Sequence, residues 1–161
     1  RTSPDKHPAP HVSPEAVELI RKYCNNDNLV LGAQSGSNRL LEECHRGHTI
    51  EDVYRAVDII ARAGFTANVD FIFGLPGETD RDVEQTLKAI KTLIEKGARI
   101  HTHTFLPLPQ TRFSGKRGGN IDPRLRRHLE SVLVPSGQAY GNWREQEKLG
   151  RRLNRDQGRQ G

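Results

Sequence analysis

The sequence predicts an α/β fold whose parallel strands form the second half of a (β/α) barrel. Helical and extended patterns of apolar residues alternate, in the order helix, strand, helix, strand, helix, strand. Such alternation implies parallel strands joined by right-handed crossovers. A sheet of three parallel strands alone would leave its edges exposed, which favours part of a barrel. Polar or glycine-rich segments follow each strand, at the end where (β/α) barrels bind their ligands.

The helices are placed by their apolar period and by the residues at their ends. Long helices are predicted over residues 13–24, 49–64 and 79–97, and a short one over 38–44. Each long helix begins at a hydroxyl side chain that can cap it, namely Ser13, Thr49 and Thr79. Gly64 and Gly97 end the second and third long helices.

The strands are predicted over residues 28–36, 65–73 and 98–109. In the middle strand Phe71 and Phe73 share one face, while Asp70 lies on the other. Asp70 is therefore expected to point into the barrel, where a lone carboxylate needs partners. Those partners belong either to an ion pair of the fold or to a bound polar ligand.

The two ends of the chain differ from residues 13–113, the half-barrel. Residues 1–12 are predicted to be a linker or loop, and residues 114–161 a helical extension with a basic, flexible end. The formal charge of +5 permits contact with polyanions. No aromatic residues are interleaved with the arginines near the C-terminus, which favours a solvated tail over a nucleic-acid site.

Composition excludes several classes of protein. No apolar run approaches the roughly 20 residues that span a bilayer, so no membrane partner is expected. Cys24 and Cys44 alone do not make a disulfide framework, which favours a cytoplasmic location. The chain has no Met and starts at Arg1, which suggests a piece of a longer protein.

The GLPG corner after the second strand is the first candidate binding element. Gly74 and Gly77 allow a ligand to approach the backbone, and Pro76 stiffens the turn around Leu75. The helix that starts at Thr79 directs free amides toward the same space. The alternative is a tight turn that binds nothing.

Three further polar residues stand near strand ends. Gln34 and Ser35 end the first strand with hydrogen-bonding groups. Arg46 could hold a carboxylate in a bidentate pair, or it could be an ordinary surface arginine. His101 and His103 share a face of the third strand, where they either line the barrel near a substrate or pack against a helix. A zinc site with Cys44, His45 and His48 lacks recognisable ligand spacing.

These segments together resemble radical S-adenosylmethionine (SAM) enzymes. The similarity rests on GAQSGSNRLLEECHRGHT, VDFIFGLPGETDRDVEQTL and THTFLPLPQT, and covers residues 13–113. It implies a partial (β/α)6 TIM-like barrel whose last three units are present here. By this resemblance, Gln34 helps hold the nucleoside of SAM and Arg46 contacts its methionine carboxylate. The strand at 69–77 and the strand that contains Leu106 flank the adenine.

The resemblance implies further components. Family members hold a [4Fe–4S] cluster with a Cx3Cx2C loop, which Cys24 and Cys44 cannot supply. The ligands are therefore expected outside this chain, in a missing N-terminal half, and the chain alone should be inactive. The whole enzyme would need an electron donor, cleave SAM reductively to a 5′-deoxyadenosyl radical, and act on an unknown substrate.

Other readings stay open. FLPLPQTRF resembles a segment of family members that carry a cobalamin-binding domain, so cobalamin is a possible second cofactor. The QSGS and GLPGET segments are shared with tRNA methylthiotransferases, although the helical segment with YGNWREQEKL differs from the RNA-binding domain that follows their barrel. A non-catalytic α/β nucleoside-binding module would use the same strand-end groove.

Overall fold

The computed structural model describes residues 12–158, so the linker predicted for residues 1–12 lies outside it except for Val12. Helices and strands alternate through most of this range. They are α1 (Pro14–Tyr23), β1 (Asn28–Gln34), α2 (Asn38–Glu43), α3 (Ile50–Arg62), β2 (Thr66–Phe73), α4 (Asp80–Glu95), β3 (Arg99–Thr104), α5 (Pro123–His128), β4 (Ala139–Tyr140) and α6 (Trp143–Gly158), with a π-helical turn at Leu129–Leu133.

The strands form one parallel sheet in the order β1-β2-β3-β4, which confirms the predicted α/β class with parallel strands. Its register aligns four residues across the sheet: Gly32, Asp70, His101 and Tyr140. Strand β4 was not predicted, because the segment 135–141 has the composition of a turn. A strand of two residues is too short to show the alternation of apolar and polar residues from which a strand is predicted.

One face of the sheet is buried against the helices and holds the main core. Val69, Phe71 and Phe73 of β2 are each 0% exposed. Ile60 of α3 and Ile90 of α4 cover them and are equally buried. The apolar stripes of the two long helices therefore meet the face of β2 that the alternation predicted. The opposite face, here called the open face, carries Asp70 and His101.

Reciprocal capping boxes fix the starts of α3 and α4, where the sequence predicted caps at Thr49 and Thr79. Thr79 accepts a hydrogen bond from the Asp82 amide, and the Asp82 carboxylate accepts one from the Thr79 amide at 2.8 Å. Asp82 also accepts a bond of 2.6 Å from the Ser37 hydroxyl and pairs with Arg39. This carboxylate therefore ties the corner after β1 to the start of α4.

Helix α6 is anchored at the end of β3. Trp143 is 1% exposed, as expected for a core residue of the C-terminal helices. The Thr104 backbone amide donates to the Gln146 side-chain oxygen at 2.9 Å, and the Thr104 hydroxyl donates to the Trp143 carbonyl at 2.8 Å. The basic segment is helical through Gly158. Among the described helices, none combines the length and apolar character needed to cross a membrane.

Candidate cofactor site at the strand ends

A hollow of about 700 Å³ lies at the C-terminal ends of the first three strands. Its volume is within the range of roughly 300–1,000 Å³ that small-molecule sites occupy. It is lined by five of the eight residues that the sequence nominated for cofactor binding, namely Gln34, Arg46, Asp70, Leu75 and Leu106. These residues, which lie far apart along the chain, therefore meet around one hollow.

Gln34 reaches the hollow through an unusual backbone turn. Its φ of 68° is left-handed, and the Ser35 amide donates to the Ala33 carbonyl at 2.9 Å across it. A hydrogen bond over a single central residue of this φ defines a γ-turn, a conformation that is strained for a residue other than glycine. The register of β1 with β2 shifts between Gly32 and Gln34 at the same place. The turn directs the Gln34 amide back over the open face.

Gly32 provides the space into which Gln34 and Arg46 fold. A Cβ at Gly32 would lie 2.7 Å from Gln34 Nε2 and 3.2 Å from an Arg46 guanidinium nitrogen. The two polar groups therefore converge over one glycine, although they belong to a strand and to a loop after α2. An amide beside a guanidinium offers several donors to a ligand that carries oxygen acceptors.

The other wall of the hollow is apolar. Leu75 and Phe105 form a small core with Leu40, apart from the main core of the sheet. Phe113 packs edge-on against Phe105 with ring centroids 5.8 Å apart. Ile72 joins them from the open face of β2. A flat or apolar portion of a ligand would find its surface here, opposite the polar pair.

Three nominated residues do not line the hollow. Ser35 is 2% exposed, and its hydroxyl accepts from the Ser37 amide at 3.1 Å, so it shapes the corner after β1. A Cβ at Gly74 would lie 2.7 Å from the Asn120 carbonyl oxygen. The close approach expected at Gly74 is thus made by the protein's own backbone rather than a ligand. Pro76 lies in the corner next to Leu75, outside the lining.

The sequence missed several lining residues. His45 has a left-handed φ of 52°, and Arg112 donates to the Glu43 carbonyl at 2.6 Å. Cys44 also lines the hollow, where burial and then Glu43 raise the pKa of its thiol. Arg112 and Gln146 come from segments without a periodic signal that would link them to these strand ends.

A pair of histidines lies beside the hollow on the open face. His101 Nδ1 donates to Asp70 Oδ1 at 2.9 Å, and the rings of His101 and His103 are 4.2 Å apart. His103 lines the hollow, as expected for a residue facing the barrel. Within residues 12–158, Asp70, His101 and His103 form the group whose ligand atoms lie within 4.8 Å of one another. Cys44, His45 and His48, the ligands considered with them from sequence, do not join it.

Comparison with known proteins assigns this chain to a family. A sequence model of the Radical SAM superfamily matches residues 5–107, which is most of the half-barrel. The chain belongs to the Radical SAM superfamily.

Curated relatives are longer than this chain. An uncharacterized protein of Methanopyrus kandleri is 34% identical over 100 residues, which is 62% of this chain and 19% of the relative. The threonylcarbamoyladenosine tRNA methylthiotransferase MtaB of Thermotoga maritima is 30% identical over 119 residues, 70% of this chain and 27% of the relative. The chain thus spans about a fifth to a quarter of the length of these relatives.

Solved structures share the fold. Coproporphyrinogen III oxidase HemN from Escherichia coli, a radical SAM enzyme, superposes with a TM-score of 0.60 and 21% identity. The match covers 80% of this chain and 31% of HemN. The radical SAM methyltransferase TsrM from Kitasatospora setae, with cobalamin and a [4Fe–4S] cluster bound, gives a TM-score of 0.52 and 24% identity over 63% of this chain and 19% of TsrM.

Proposed function

We propose that the hollow binds S-adenosylmethionine as part of a radical SAM enzyme longer than this chain. The observation that carries the proposal is the convergence of Gln34 and Arg46 over Gly32, opposite an apolar wall. SAM combines a charged amino-acid end with a flat nucleoside, and this hollow offers a surface suited to each. Family membership supports the same assignment.

Each group of the hollow has a distinct role in this proposal. The Arg46 guanidinium donates paired hydrogen bonds to the methionine carboxylate. The Gln34 amide donates to a nucleoside oxygen, and Leu75 with Leu106 packs against the base. Asp70 accepts hydrogen bonds at the boundary between the hollow and the histidine pair.

The described cysteines do not fit an iron–sulfur cluster. Cys24 is exposed near the end of α1, while Cys44 is partly buried with a raised pKa. Cluster ligation requires closely spaced thiolates. We therefore propose that the ligands lie outside this chain and that the chain alone does not cleave SAM. When bound to such a cluster, SAM supplies a 5′-deoxyadenosyl radical by one-electron reductive cleavage, which also requires an electron donor.

The test uses the full-length gene product, expressed anaerobically with its cluster reconstituted. SAM affinity is measured by equilibrium dialysis, and 5′-deoxyadenosine release by chromatography after reduction. Arg46→Ala should weaken SAM binding by about 10- to 150-fold, since a charge-assisted pair contributes roughly 1.5–3 kcal/mol. The matched control is Arg62→Ala, an exposed arginine outside the hollow. Unchanged affinity and release in an Arg46→Ala, Gln34→Ala double variant would remove the hollow from SAM binding.

A second candidate is tRNA methylthiolation, favoured by the curated relatives. Besides MtaB, a tRNA-2-methylthio-N(6)-dimethylallyladenosine synthase of Agrobacterium fabrum is 43% identical over 67 residues, 40% of this chain and 15% of the relative. The discriminating measurement is tRNA affinity of the full-length product in about 0.15 M salt. Sub-micromolar binding that survives this salt would favour this candidate over a small-molecule substrate.

Cobalamin is a further proposed cofactor, supported by the resemblance of FLPLPQTRF to cobalamin-associated family members. Purification of the full-length product from cells supplied with cobalamin tests this proposal. A stoichiometric cobalamin absorption spectrum would support it, and its absence after reconstitution would exclude it.

A further inference from the structure

The open face of β3 holds a histidine pair to which the proposed SAM site assigns no role, although His103 also lines the hollow. The register places Asp70 beside His101 and His101 beside Tyr140, while His103 follows two residues later on the same face. The pair therefore lies on the opposite side of Asp70 from Gln34 and Arg46.

The ring of His101 is fixed from two sides. Asp70 Oδ1 accepts the hydrogen bond from His101 Nδ1 at 2.9 Å. The Tyr140 ring stacks on the His101 ring, with centroids 4.6 Å apart and an interplanar angle of 13°. The Arg99 guanidinium lies over the Tyr140 ring, 4.9 Å from its centroid. A carboxylate that accepts from Nδ1–H leaves the second nitrogen, Nε2, as the basic atom of the neutral ring.

His103 is held in the opposite tautomer. The Gln146 side-chain oxygen accepts from the Thr104 backbone amide at 2.9 Å, which fixes which end of the side chain is the NH2 group. That NH2 group lies 3.3 Å from His103 Nδ1 and donates to it. The Nδ1 atom is thus an acceptor, and the proton of the neutral ring sits on Nε2. Burial, followed by the neighbouring His101, lowers the pKa of His103 and favours this neutral form.

Both Nε2 atoms are accessible to a ligand. Within residues 12–158 neither has a hydrogen-bond partner, and neither is among the buried side-chain atoms that lack one. The side chains of His101 and Asp70 are 31% and 26% exposed. A proton acceptor and a proton donor therefore stand side by side on one strand.

We infer that His101 and His103 form an acid–base pair for a substrate hydroxyl or amine bound on the open face. His101 Nε2 takes the proton of the substrate hydroxyl as that oxygen reacts, or the proton of a substrate ammonium group, and the electron pair of the broken bond stays on the substrate. Asp70 stabilises the resulting imidazolium, and His103 donates a hydrogen bond to the same substrate group. The inference rests on the proposed function in that it places the substrate beside the SAM hollow.

The hydrogen bonds favour this role over a metal site. Ligation of a metal by His103 Nε2 would require that nitrogen to lose its proton and Nδ1 to become a donor. The Gln146 side chain would then have to reverse, which would set its NH2 group against the Thr104 amide. Asp70 Oδ1 is already engaged by His101 rather than positioned as an independent ligand.

The first experiment reads the tautomers directly in the full-length gene product, labelled with ¹⁵N-histidine. Long-range ¹H–¹⁵N spectra in alkaline buffer, where an ordinary imidazole is neutral, distinguish protonated from bare ring nitrogens. We expect a bare Nε2 in His101 and a bare Nδ1 in His103. Asp70→Ala should shift His101 to a mixture of tautomers, whereas Asp70→Asn, whose carbonyl still accepts, should not. The same tautomer in both histidines of the wild type would overturn the inference.

The second experiment tests the basic nitrogen and the metal alternative. The reagent is diethyl pyrocarbonate, and peptide mass spectrometry follows the modification of each histidine. His101 should be labelled at a rate within a few-fold of that of exposed His45, and His103 should be labelled more slowly. An inert His101 would overturn the inference. So would one tightly bound Zn²⁺ per chain that His101→Ala and His103→Ala each abolish. Neither measurement needs SAM or the cluster, so its failure is distinguishable from failure of the proposed SAM site.

Discussion

The two faces of β2 have almost opposite chemistry, although their residues alternate along the same eight-residue strand. Val69, Phe71 and Phe73 are completely buried under α3 and α4. Asp70 and Ile72, between them, face the hollow. In the C-terminal half of β2, alternate residues thus contribute to stability and to the lining of the hollow. The comparison indicates that substitutions on the helix-covered face lower the free energy of unfolding, whereas substitutions on the open face change it little.

The largest expected difference in the free energy of unfolding is between substitutions at the neighbouring residues 70 and 71. Phe71→Ala leaves a cavity in the fully buried face and should lower the free energy of unfolding by about 3–5 kcal/mol. Asp70→Ala removes a partly exposed pair with His101 and should cost less than about 1 kcal/mol. Urea unfolding followed by circular dichroism measures both. Equal losses in the two variants would contradict the division between the faces.

The next effect concerns Asp82, a polar residue with a structural role on the helix side. Burial raises the pKa of this carboxyl, but hydrogen bonds from Arg39, Ser37 and Thr79 outweigh it, so the pKa lies below its ordinary value. Asp82→Asn removes the charge from a buried pair and should cost about 2–3 kcal/mol.

The pH dependence gives Asp82 a separate signature. Because its pKa is lower in the folded protein, its stabilisation is present above the ordinary value of 3.8 and is lost as the pH falls below it. The wild type should therefore lose stability in acid more steeply than Asp82→Asn. Glu95→Gln, which changes an exposed carboxylate on α4, serves as the control. Parallel acid profiles of the wild type and Asp82→Asn would contradict the assigned role.

Glu78 should produce a smaller effect of opposite sign. Burial raises its pKa to about 7, with Asp82 and Asp122 adding to the rise and the Gly74 amide opposing it. The folded state therefore holds a proton that the unfolded state releases near 4.5. Stability should fall as the pH rises from 4.5 to about 7 and stay level above it. Glu78→Gln should remove this slope. The shift corresponds to about 3 kcal/mol at pH 8 as an upper limit, and because the side chain is only partly buried the advantage should be on the order of 1–2 kcal/mol. Thermal unfolding across pH 4–8 measures it.

The sequence predicted the helix-covered face better than the site. Alternation in 65–73 and the caps at Thr49 and Thr79 are local signals, and the structure confirms them. The tautomers of His101 and His103 depend on Asp70 and Gln146, which are distant in sequence, so no local pattern reveals them. Gly74 shows the opposite error. The sequence predicted correctly that another group approaches the Gly74 backbone closely, but that group is the backbone of Asn120 rather than a ligand.

Two glycines, Gly36 and Gly32, differ in the atoms that an added methyl group would meet. A Cβ at Gly36 would lie 2.5 Å from the backbone of Thr86 in α4, which cannot move without displacing that helix. A Cβ at Gly32 would meet only the ends of two flexible side chains, Gln34 and Arg46. Gly36→Ala should therefore destabilise the fold, whereas Gly32→Ala should change the free energy of unfolding by less than about 0.5 kcal/mol.

The effect of Gly32→Ala should instead appear in ligand binding. Its methyl group occupies the space in which the Gln34 amide and the Arg46 guanidinium converge, so both must swing away from the proposed SAM position. We expect SAM affinity of the reconstituted full-length product to fall about 10-fold, which corresponds to about 1.4 kcal/mol. Urea unfolding and equilibrium dialysis on the same preparation separate the two quantities. The expectation would be contradicted if Gly32→Ala lowered the free energy of unfolding but left SAM affinity unchanged. Gly32 would then stabilise the fold, and the positions of Gln34 and Arg46 would not depend on it.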